Sequence, residues 1–392
     1  MKKGFPASPE REILFLISRR RLYPSQAVHL QGLLREPVDW NLLLELAGRH
    51  HVMPLLYRHV AALQALLPEG VWDRLRLWHG WHLRYAYQAT AELLQIFEEF
   101  DRQGITGIPF KGPALSHQLY GDVALRQFSD LDILVREPDL EEATAALLRM
   151  GYRRKFPFHG KQTSASRRST VHEIFIRGPS DPPVEIHWDL LPRCYSVPLD
   201  LDSLWDRRRS FSLGGREVVS FAPEDLFLIL CLHAWKHQYE RLAWLVDLAE
   251  LAGSSPGLHW KRMAEQAGRW RMQRIWSLSL FLMKELLDVP IPSEANGFRE
   301  CRSVQAAGDY VLKFSMNRAE GEKISIREEL PYCLAMRECW KDRLRYLIRK
   351  GWIWMTPTSH EWLLVPLPDR FFFLYYFLRP LRLAAKYGRK VL

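Results

Sequence analysis

Two short stretches in the first half of the chain alternate apolar and polar residues with the period of a β-strand. Residues 129–135 read SDLDILV. Because successive side chains of a strand point to opposite faces, Asp130 and Asp132 share one face, while Leu131 and Ile133 point into a core. The pattern predicts a strand that presents two neighbouring carboxylates.

The second stretch, residues 182–189, reads PPVEIHWD and alternates in the same way. Its apolar residues share one face, and Glu185, His187 and Asp189 share the other. A tight turn before it predicts a hairpin that delivers Glu185. If this strand pairs beside the first one, Glu185 joins Asp130 and Asp132 in one cluster. The preceding strand of that hairpin carries His172 or Glu173 toward the same place.

Crowded carboxylates repel one another unless a positive charge lies between them. Hard oxygen ligands of this kind suit Mg²⁺ or Mn²⁺, and three of them can hold two ions that clamp the attacking and leaving oxygens of a phosphoryl transfer. Asp130, Asp132 and Glu185 are therefore the predicted metal ligands and catalytic carboxylates. The alternative is a solvated turn in which Asp130 caps a backbone group and Asp132 faces water.

Helical periodicity dominates the remainder of the chain. Asp39 precedes an apolar run as an N-cap, and a long helix is predicted from about residue 71 to 103. A nearly continuous apolar run at residues 226–235 predicts a buried helix, and residues 258–345 continue as amphipathic helices. A small sheet among many helices predicts an α+β fold.

Between the long helix and the first strand lies a short apolar run that ends in Lys111, Gly112 and Pro113. A helix is predicted to follow at residues 114–120. Pro113 fits its first position, where a missing N–H costs nothing, and the amide groups there can meet a phosphate.

Together these features resemble a known group of proteins. A strand, a glycine-containing turn into a helix, D-x-D on a strand and a later acid on another strand is the pattern of the DNA polymerase beta-like nucleotidyltransferases. More closely, the segments KGPALSHQLYGDVALRQFSDLDILV, VEIHWDL and LHAWKHQYERLAWLVDLAEL resemble a largely uncharacterised bacterial nucleotidyltransferase family. The resemblance runs from about Asp39 to the C-terminus.

The resemblance implies a small mixed sheet between N-terminal and C-terminal helical domains. It also implies transfer of a nucleoside monophosphate from a nucleoside triphosphate (NTP), with Asp130, Asp132 and Glu185 on the metal-ligand positions. The chain departs from the wider pattern at the phosphate turn, where Gly-Ser or Gly-Gly is replaced by Lys-Gly-Pro. This departure removes a hydroxyl that binds the triphosphate, and Lys111 substitutes with a charge. By this resemblance, Lys111 and Gly112 are the predicted phosphate-binding residues.

Two further residues near the carboxylates have two interpretations each. Arg126, four residues before Asp130, is either a bidentate phosphate clamp or the partner of a salt bridge to Asp122 or Asp130. His187 either has a direct role, as a base or as a group that orients an acceptor, or it is a histidine that is hydrogen-bonded beside the site. The second interpretation is preferred.

The predicted buried helix carries His233 and Lys236 and is followed by His237, and Asp247 lies on the next segment. The resemblance implies that these residues, with Arg241, line the substrate side of the cleft. From the residues alone, such groups on an apolar helix need polar partners, and Asp247 is one candidate. A zinc site of His233, His237 and Asp247 lacks a well-placed third histidine or cysteine and is not favoured.

Composition and charge narrow the class of protein. The 392 residues are 47% hydrophobic and 26% charged, with a net charge of +10, which favours anionic ligands such as nucleotides, RNA or membrane surfaces. The five cysteines form no C-x-x-C pair and fit a reducing compartment. No signal-peptide pattern opens the chain, and no apolar run approaches the roughly 18 residues of a membrane span. A soluble, cytoplasmic protein is predicted.

Two basic segments stay open to more than one interpretation. Residues 153–169 are either a solvated loop or a mobile flap that neutralises a triphosphate or binds an anionic acceptor. Near the C-terminus, the aromatic run FFFLYYFL at residues 371–378 is followed by spaced cations. Such a segment lies on an anionic membrane surface or packs back on the protein as a helix, and packing is the preferred interpretation.

The predicted function is a metal-dependent nucleotidyltransferase that uses Mg²⁺ or Mn²⁺ and an NTP donor and releases pyrophosphate. Its acceptor is undetermined and includes small molecules, peptides, proteins and tRNA. The alternative is a catalytically inactive nucleotide- or RNA-binding protein of the same fold. The predicted organisation is a helical region (1–80), the core (81–192), a hairpin linker (193–222), a helical domain (223–345) and a tail (346–392).

Overall fold

The fold was analysed in a computed structural model, which describes residues 8–156, 162, 165, 167, 170–255, 257–295, 301–318 and 325–388. The α-helices are α1 (Pro9–Ile17), α2 (Pro24–Leu33), α3 (Trp40–Arg49), α4 (Met53–Val60), α5 (Glu69–Arg102), α6 (Gly112–Tyr120), α7 (Leu140–Arg149), α8 (Leu201–Asp206), α9 (Pro223–Lys236), α10 (Leu242–Ser254), α11 (Trp260–Arg269), α12 (Gln273–Leu287), α13 (Arg302–Lys313), α14 (Ile326–Ala335), α15 (Trp340–Met355), α16 (Ser359–Leu364) and α17 (Tyr375–Gly388).

The strands are β1 (Gly107–Pro109), β2 (Leu131–Val135), β3 (Arg153–Arg154), β4 (His172–Ile176), β5 (Val184–His187), β6 (Arg209–Leu213) and β7 (Arg216–Ser220). The first five form one mixed sheet in the order β1-β2-β5-β4-β3, and β6 and β7 form a separate hairpin. Only the β2–β5 pair of the larger sheet is parallel. A small mixed sheet flanked by many helices confirms the predicted α+β fold.

Alternation along β2 and β5 fixes what each face of the sheet carries. The apolar residues of both strands are almost fully buried, with exposures of 0–1%. All of them except Leu134, which belongs to the core on the other face, pack against α5 and α7. The polar residues of the two strands therefore share the other face, as the sequence pattern predicts.

The helices on either side of the sheet begin and end where the sequence signals lie. The Asp39 side chain accepts a hydrogen bond from the backbone N–H of Leu42, which confirms the predicted N-cap of α3. Helix α9 buries ten of its residues, in agreement with its nearly continuous apolar run. The N-terminal helices and the helices after β7 share one core.

The predicted domain boundaries stay predictions. Residue 80 lies within the continuous helix α5, and residue 345 lies within α15. Among the described residues, every helix is too short or too polar to span a membrane.

The turn between β1 and α6 brings two backbone segments close together. Gly112 has a φ angle of +61°, in the left-handed region that side chains disfavour. A Cβ atom at this position would lie 3.1 Å from the backbone carbonyl oxygen of Asp130. The sequence therefore needs glycine here for both conformation and space, whatever its role toward a phosphate.

Replacing Gly112 by alanine is expected to lower the free energy of unfolding by about 1–3 kcal/mol, because it adds left-handed strain and a close contact. Gly48→Ala in α3 is the matched control. Its Cβ would meet no atom within 4 Å, so the change is expected to be neutral or stabilising. Urea denaturation of both variants measures the difference, and equal stabilities would contradict the proposed constraint.

Candidate active site

The parallel pairing of β2 and β5 places Asp132 directly opposite Glu185. Residues opposite each other on neighbouring strands point to the same face, so their carboxylates are neighbours. Asp130 immediately precedes β2 and is half-buried, whereas Asp132 is only 2% exposed. The strand pairing predicted from the sequence is present, and it brings the carboxylate cluster (Asp130, Asp132 and Glu185) to this end of the sheet. The use of these three carboxylates as metal ligands stays a prediction.

Two basic side chains of the protein contact this cluster. The Lys111 ammonium lies 2.6 Å from Asp132 Oδ1. His187 Nε2 lies 3.0 Å from the same oxygen and 3.3 Å from Glu185 Oε2. The second oxygen of Asp132, Oδ2, is buried and has no hydrogen-bond partner among the described residues. His187 therefore has the hydrogen-bonded position that the sequence analysis preferred, beside the carboxylates.

The electrostatics follow from burial and from these contacts. Burial acts to raise the pKa of Asp132, but Lys111 and His187 outweigh it and hold that pKa well below its usual range. Burial and the neighbouring Asp132 carboxylate raise the pKa of Asp130 to about 7. The cations of the protein therefore compensate the Asp132 carboxylate and leave the Asp130 carboxylate poorly stabilised.

His172 on β4 extends the polar face of the sheet beyond Glu185. It pairs across the strands with His187, and the two rings are 4.8 Å apart. One nitrogen from each histidine and one Glu185 oxygen lie within 4.8 Å of one another. Of the two β4 residues considered from the sequence, His172 faces the site. Glu173 instead forms an ion pair with Arg154.

A second set of basic residues approaches the cluster from the end of α9. Burial and the nearby Lys111 charge lower the pKa of Lys236, which has no ion-pair partner among the described residues. Burial, with Lys236 and Lys111 close by, lowers the pKa of His237 to about 3. The pKa of His233 is also lowered, by burial and by Lys111. This end of α9 thus holds one cation and two neutral imidazoles near the carboxylates.

Arg126 has a partner that the sequence analysis did not consider. Its Nε donates to Asp247 Oδ2 at 2.9 Å, and the Tyr120 hydroxyl donates to Asp247 Oδ1 at 3.0 Å. Asp122 and Asp130 were the salt-bridge partners considered from the sequence, and the observed partner is Asp247. It lies 121 positions away in the chain, so only the packing of α10 against α6 reveals it.

The Arg126–Asp247 pair also bears on the other interpretations of these residues. The hydrogen bonds to Asp247 come from Tyr120 and Arg126, and not from His233 or His237 as considered from the sequence. Within the described residues, the three groups of the disfavoured zinc site form no metal-ligand cluster.

Of the basic segment at 153–169, Lys161 and Arg168 lie outside the described residues, while Arg167 pairs with Glu141.

Sequence comparison places this site within a known family. The chain belongs to the family described as uncharacterised nucleotidyltransferase, whose model matches residues 36–288. The match supports nucleotidyl transfer as the general activity and confirms the resemblance at that level. The bacterial and polymerase beta-like parts of the resemblance stay predictions. Neither the curated proteins nor the solved structures give a significant match.

Asp247→Asn is expected to lower the free energy of unfolding by about 3 kcal/mol, because it leaves the buried Arg126 charge without its counterion. Tyr120→Phe removes one hydrogen bond to the same carboxylate and should cost about 1.5 kcal/mol. Asp73→Asn is the control, since the exposed pair of Asp73 and Arg76 contributes under about 1 kcal/mol. Equal losses for Asp247→Asn and Asp73→Asn, by urea denaturation, would contradict this assignment.

Proposed function

We propose that this chain is a metal-dependent nucleotidyltransferase that moves a nucleoside monophosphate from an NTP to a hydroxyl or other nucleophile of an acceptor and releases pyrophosphate. The observation that carries the proposal is the register of β2 and β5, which brings Asp132 and Glu185 together beside Asp130. The family match supports the reaction class. The metal, the donor and the acceptor are parts of the proposal.

The donor atoms fit a divalent cation. Asp132 Oδ2 is buried without a partner among the described residues. Burial and the Asp132 carboxylate raise the pKa of Asp130 by more than the positive charge of Lys111 lowers it. Asp130, Asp132 and Glu185 would hold Mg²⁺ or Mn²⁺ through hard oxygen ligands. Bound there, two such ions would lower the pKa of the acceptor nucleophile and stabilise the departing pyrophosphate.

The side chains around the carboxylates have distinct roles in this proposal. His187 donates its Nε2 proton between Asp132 and Glu185 and thereby orients both carboxylates. Burial opposes the charged form of His187, but the two carboxylates prevail and raise its pKa, which favours the protonated ring. A histidine held in this way serves as a positioning residue and is a poor base for the acceptor.

The triphosphate would lie between the start of α6 and the end of α9. The amide groups of the first turn of α6 favour an anion, and Lys111 precedes them. Lys236 lacks an ion-pair partner among the described residues and is close enough to Lys111 to lower its own pKa. A bound polyphosphate would offset the repulsion between Lys111 and Lys236, whereas a neutral ligand would not.

Arg126 has a supporting role in this proposal. Its Nε is bound to Asp247, and its side chain is 7% exposed. It therefore fixes the loop before Asp130 onto α10 and contributes positive charge from within the protein. This arrangement favours the salt-bridge interpretation of Arg126 over a direct phosphate clamp.

Calorimetric titration with each of the four NTPs, with and without Mg²⁺, tests the proposed donor and metal. We expect Mg²⁺-dependent binding that Asp130→Asn/Asp132→Asn reduces by more than about a hundredfold, because two charged ligands are lost. Lys284→Met, on an exposed position of α12, should bind as the unmodified protein does. Metal-independent NTP binding, or RNA binding that weakens steeply with salt, would favour the inactive nucleotide- or RNA-binding alternative.

Lys111→Met separates the two roles of this lysine. The substitution removes the counterion of Asp132, so Mg²⁺ affinity without nucleotide is expected to rise about tenfold, while NTP affinity falls. Lys236→Met should lower NTP affinity and affect Mg²⁺ affinity much less, because Lys236 has no ion pair with a carboxylate of the cluster. Calorimetry of Mg²⁺ and NTP binding measures both effects. A loss of Mg²⁺ binding by folded Lys111→Met would contradict the competition between Lys111 and the metal.

A further inference from the structure

Helix α15 exposes a continuous apolar stripe, which we call the tail face. Its members are Trp340 (67% exposed), Leu344 (48%), Leu347 (42%), Ile348 (63%), Trp352 (65%) and Met355 (47%). Spacings of three and four residues place them on one side of the helix. Isolated exposed apolar residues are normal on a protein surface, but a helical stripe of six large ones indicates an interaction site.

The opposite side of α15 packs on the protein. Asp342 and Tyr346 are 2% and 0% exposed. Asp342 accepts hydrogen bonds from Arg271 and Arg345, which hold the start of the helix in place. The helix is therefore fixed along its polar and buried sides, and its apolar stripe faces away from the protein.

The charges beside the tail face are positive. Lys341, Arg343, Arg345 and Arg349 are all exposed. At 100° per residue, Arg343 falls on one border of the stripe and Arg345 on the other, while Lys341 falls within it, between Ile348 and Trp352. The one acidic residue of the helix, Asp342, is buried. The exposed surface of α15 thus combines an apolar stripe, a tryptophan toward either end and cationic borders.

The aromatic run near the C-terminus adds a second exposed row. The packing preferred from the sequence accounts for Phe372 and Tyr375, which are buried in a cluster with Trp362. Phe373, Phe377 and Leu381 are 56%, 68% and 68% exposed, with a four-residue spacing. Helix α17 contacts α15, so this row belongs to the same part of the molecule.

We propose that the tail face binds the surface of an anionic lipid bilayer, with α15 lying in the plane of the interface. An amphipathic helix with large apolar residues, tryptophans and cations along its polar borders has the chemistry that binds such a surface. A negatively charged headgroup layer complements the exposed lysine and arginine side chains, and the attraction between them is stronger at low ionic strength.

A second copy of the chain is a poorer occupant of the tail face. Two such faces in contact would oppose their cationic borders, and the chain carries a net charge of +10. The proposal is also independent of nucleotidyl transfer, because the whole tail face lies beyond residues 36–288, the range that the family model matches.

Co-sedimentation with vesicles tests the proposal on the full chain. We expect binding to vesicles of phosphatidylcholine and phosphatidylglycerol, weak binding to phosphatidylcholine alone, and a loss of binding as salt increases. Trp340→Ser/Trp352→Ser is expected to reduce the partition coefficient about tenfold or more, because large apolar side chains leave the interface. Lys341→Gln/Arg343→Gln should remove the preference for the anionic lipid.

Trp81→Ser is the matched control, because Trp81 on α5 is 64% exposed, close to the value for Trp352, and lies outside the tail face. It should bind vesicles as the unmodified chain does. The substituted residues are exposed, so circular dichroism is expected to report unchanged helix content. Absence of binding to anionic vesicles at low salt, or an equal loss with Trp81→Ser, overturns the proposal. A concentration-dependent dimer abolished by Trp340→Ser/Trp352→Ser, without vesicle binding, would instead assign the face to self-association.

Discussion

The arrangement of the site depends on like charges that the fold forces together. Parallel pairing of β2 and β5 sets Asp132 opposite Glu185, and Asp130 lies one residue before the start of β2. Carboxylates in such a cluster, partly removed from water, repel one another strongly. Lys111 and His187 offset this repulsion at Asp132, while the pKa of Asp130 stays raised. Such crowding favours the binding of a further positive charge, which is the physical basis of the proposed metal dependence.

The helical region after the hairpin completes this site. Lys236 at the end of α9 brings a cation close to Lys111, and burial disfavours the charge of both neighbouring histidines. The Asp247 carboxylate binds Tyr120 and Arg126, so one buried group joins α6, the loop before β2 and α10. Breaking the Arg126–Asp247 pair would leave an uncompensated charge in a low-dielectric interior. The position of the loop before β2 therefore depends on the packing of α10 against α6.

The matched family range and the C-terminal region have different surface chemistry. Within residues 36–288, the polar groups of the site lie on one face of the sheet and at the end of α9. Beyond them, α15 buries its one acid and exposes an apolar stripe bordered by cations. These two surfaces involve different residues, so the proposed nucleotidyl transfer and the proposed lipid contact can be tested separately.

Local periodicity by itself determined much of this protein. Alternation at Asp130–Asp132 and at Glu185–His187 gave the strands and the shared polar face, because side-chain direction in a strand depends only on position. The Asp39 N-cap and the buried α9 were equally readable from local sequence. Tertiary structure alone decided the long-range partners: Asp247 for Arg126, Asp132 for Lys111, and His172 beside His187. It also decided which aromatic residues of the tail are exposed. Neither periodicity nor spacing encodes such contacts, since they arise from packing between segments that are distant in the chain.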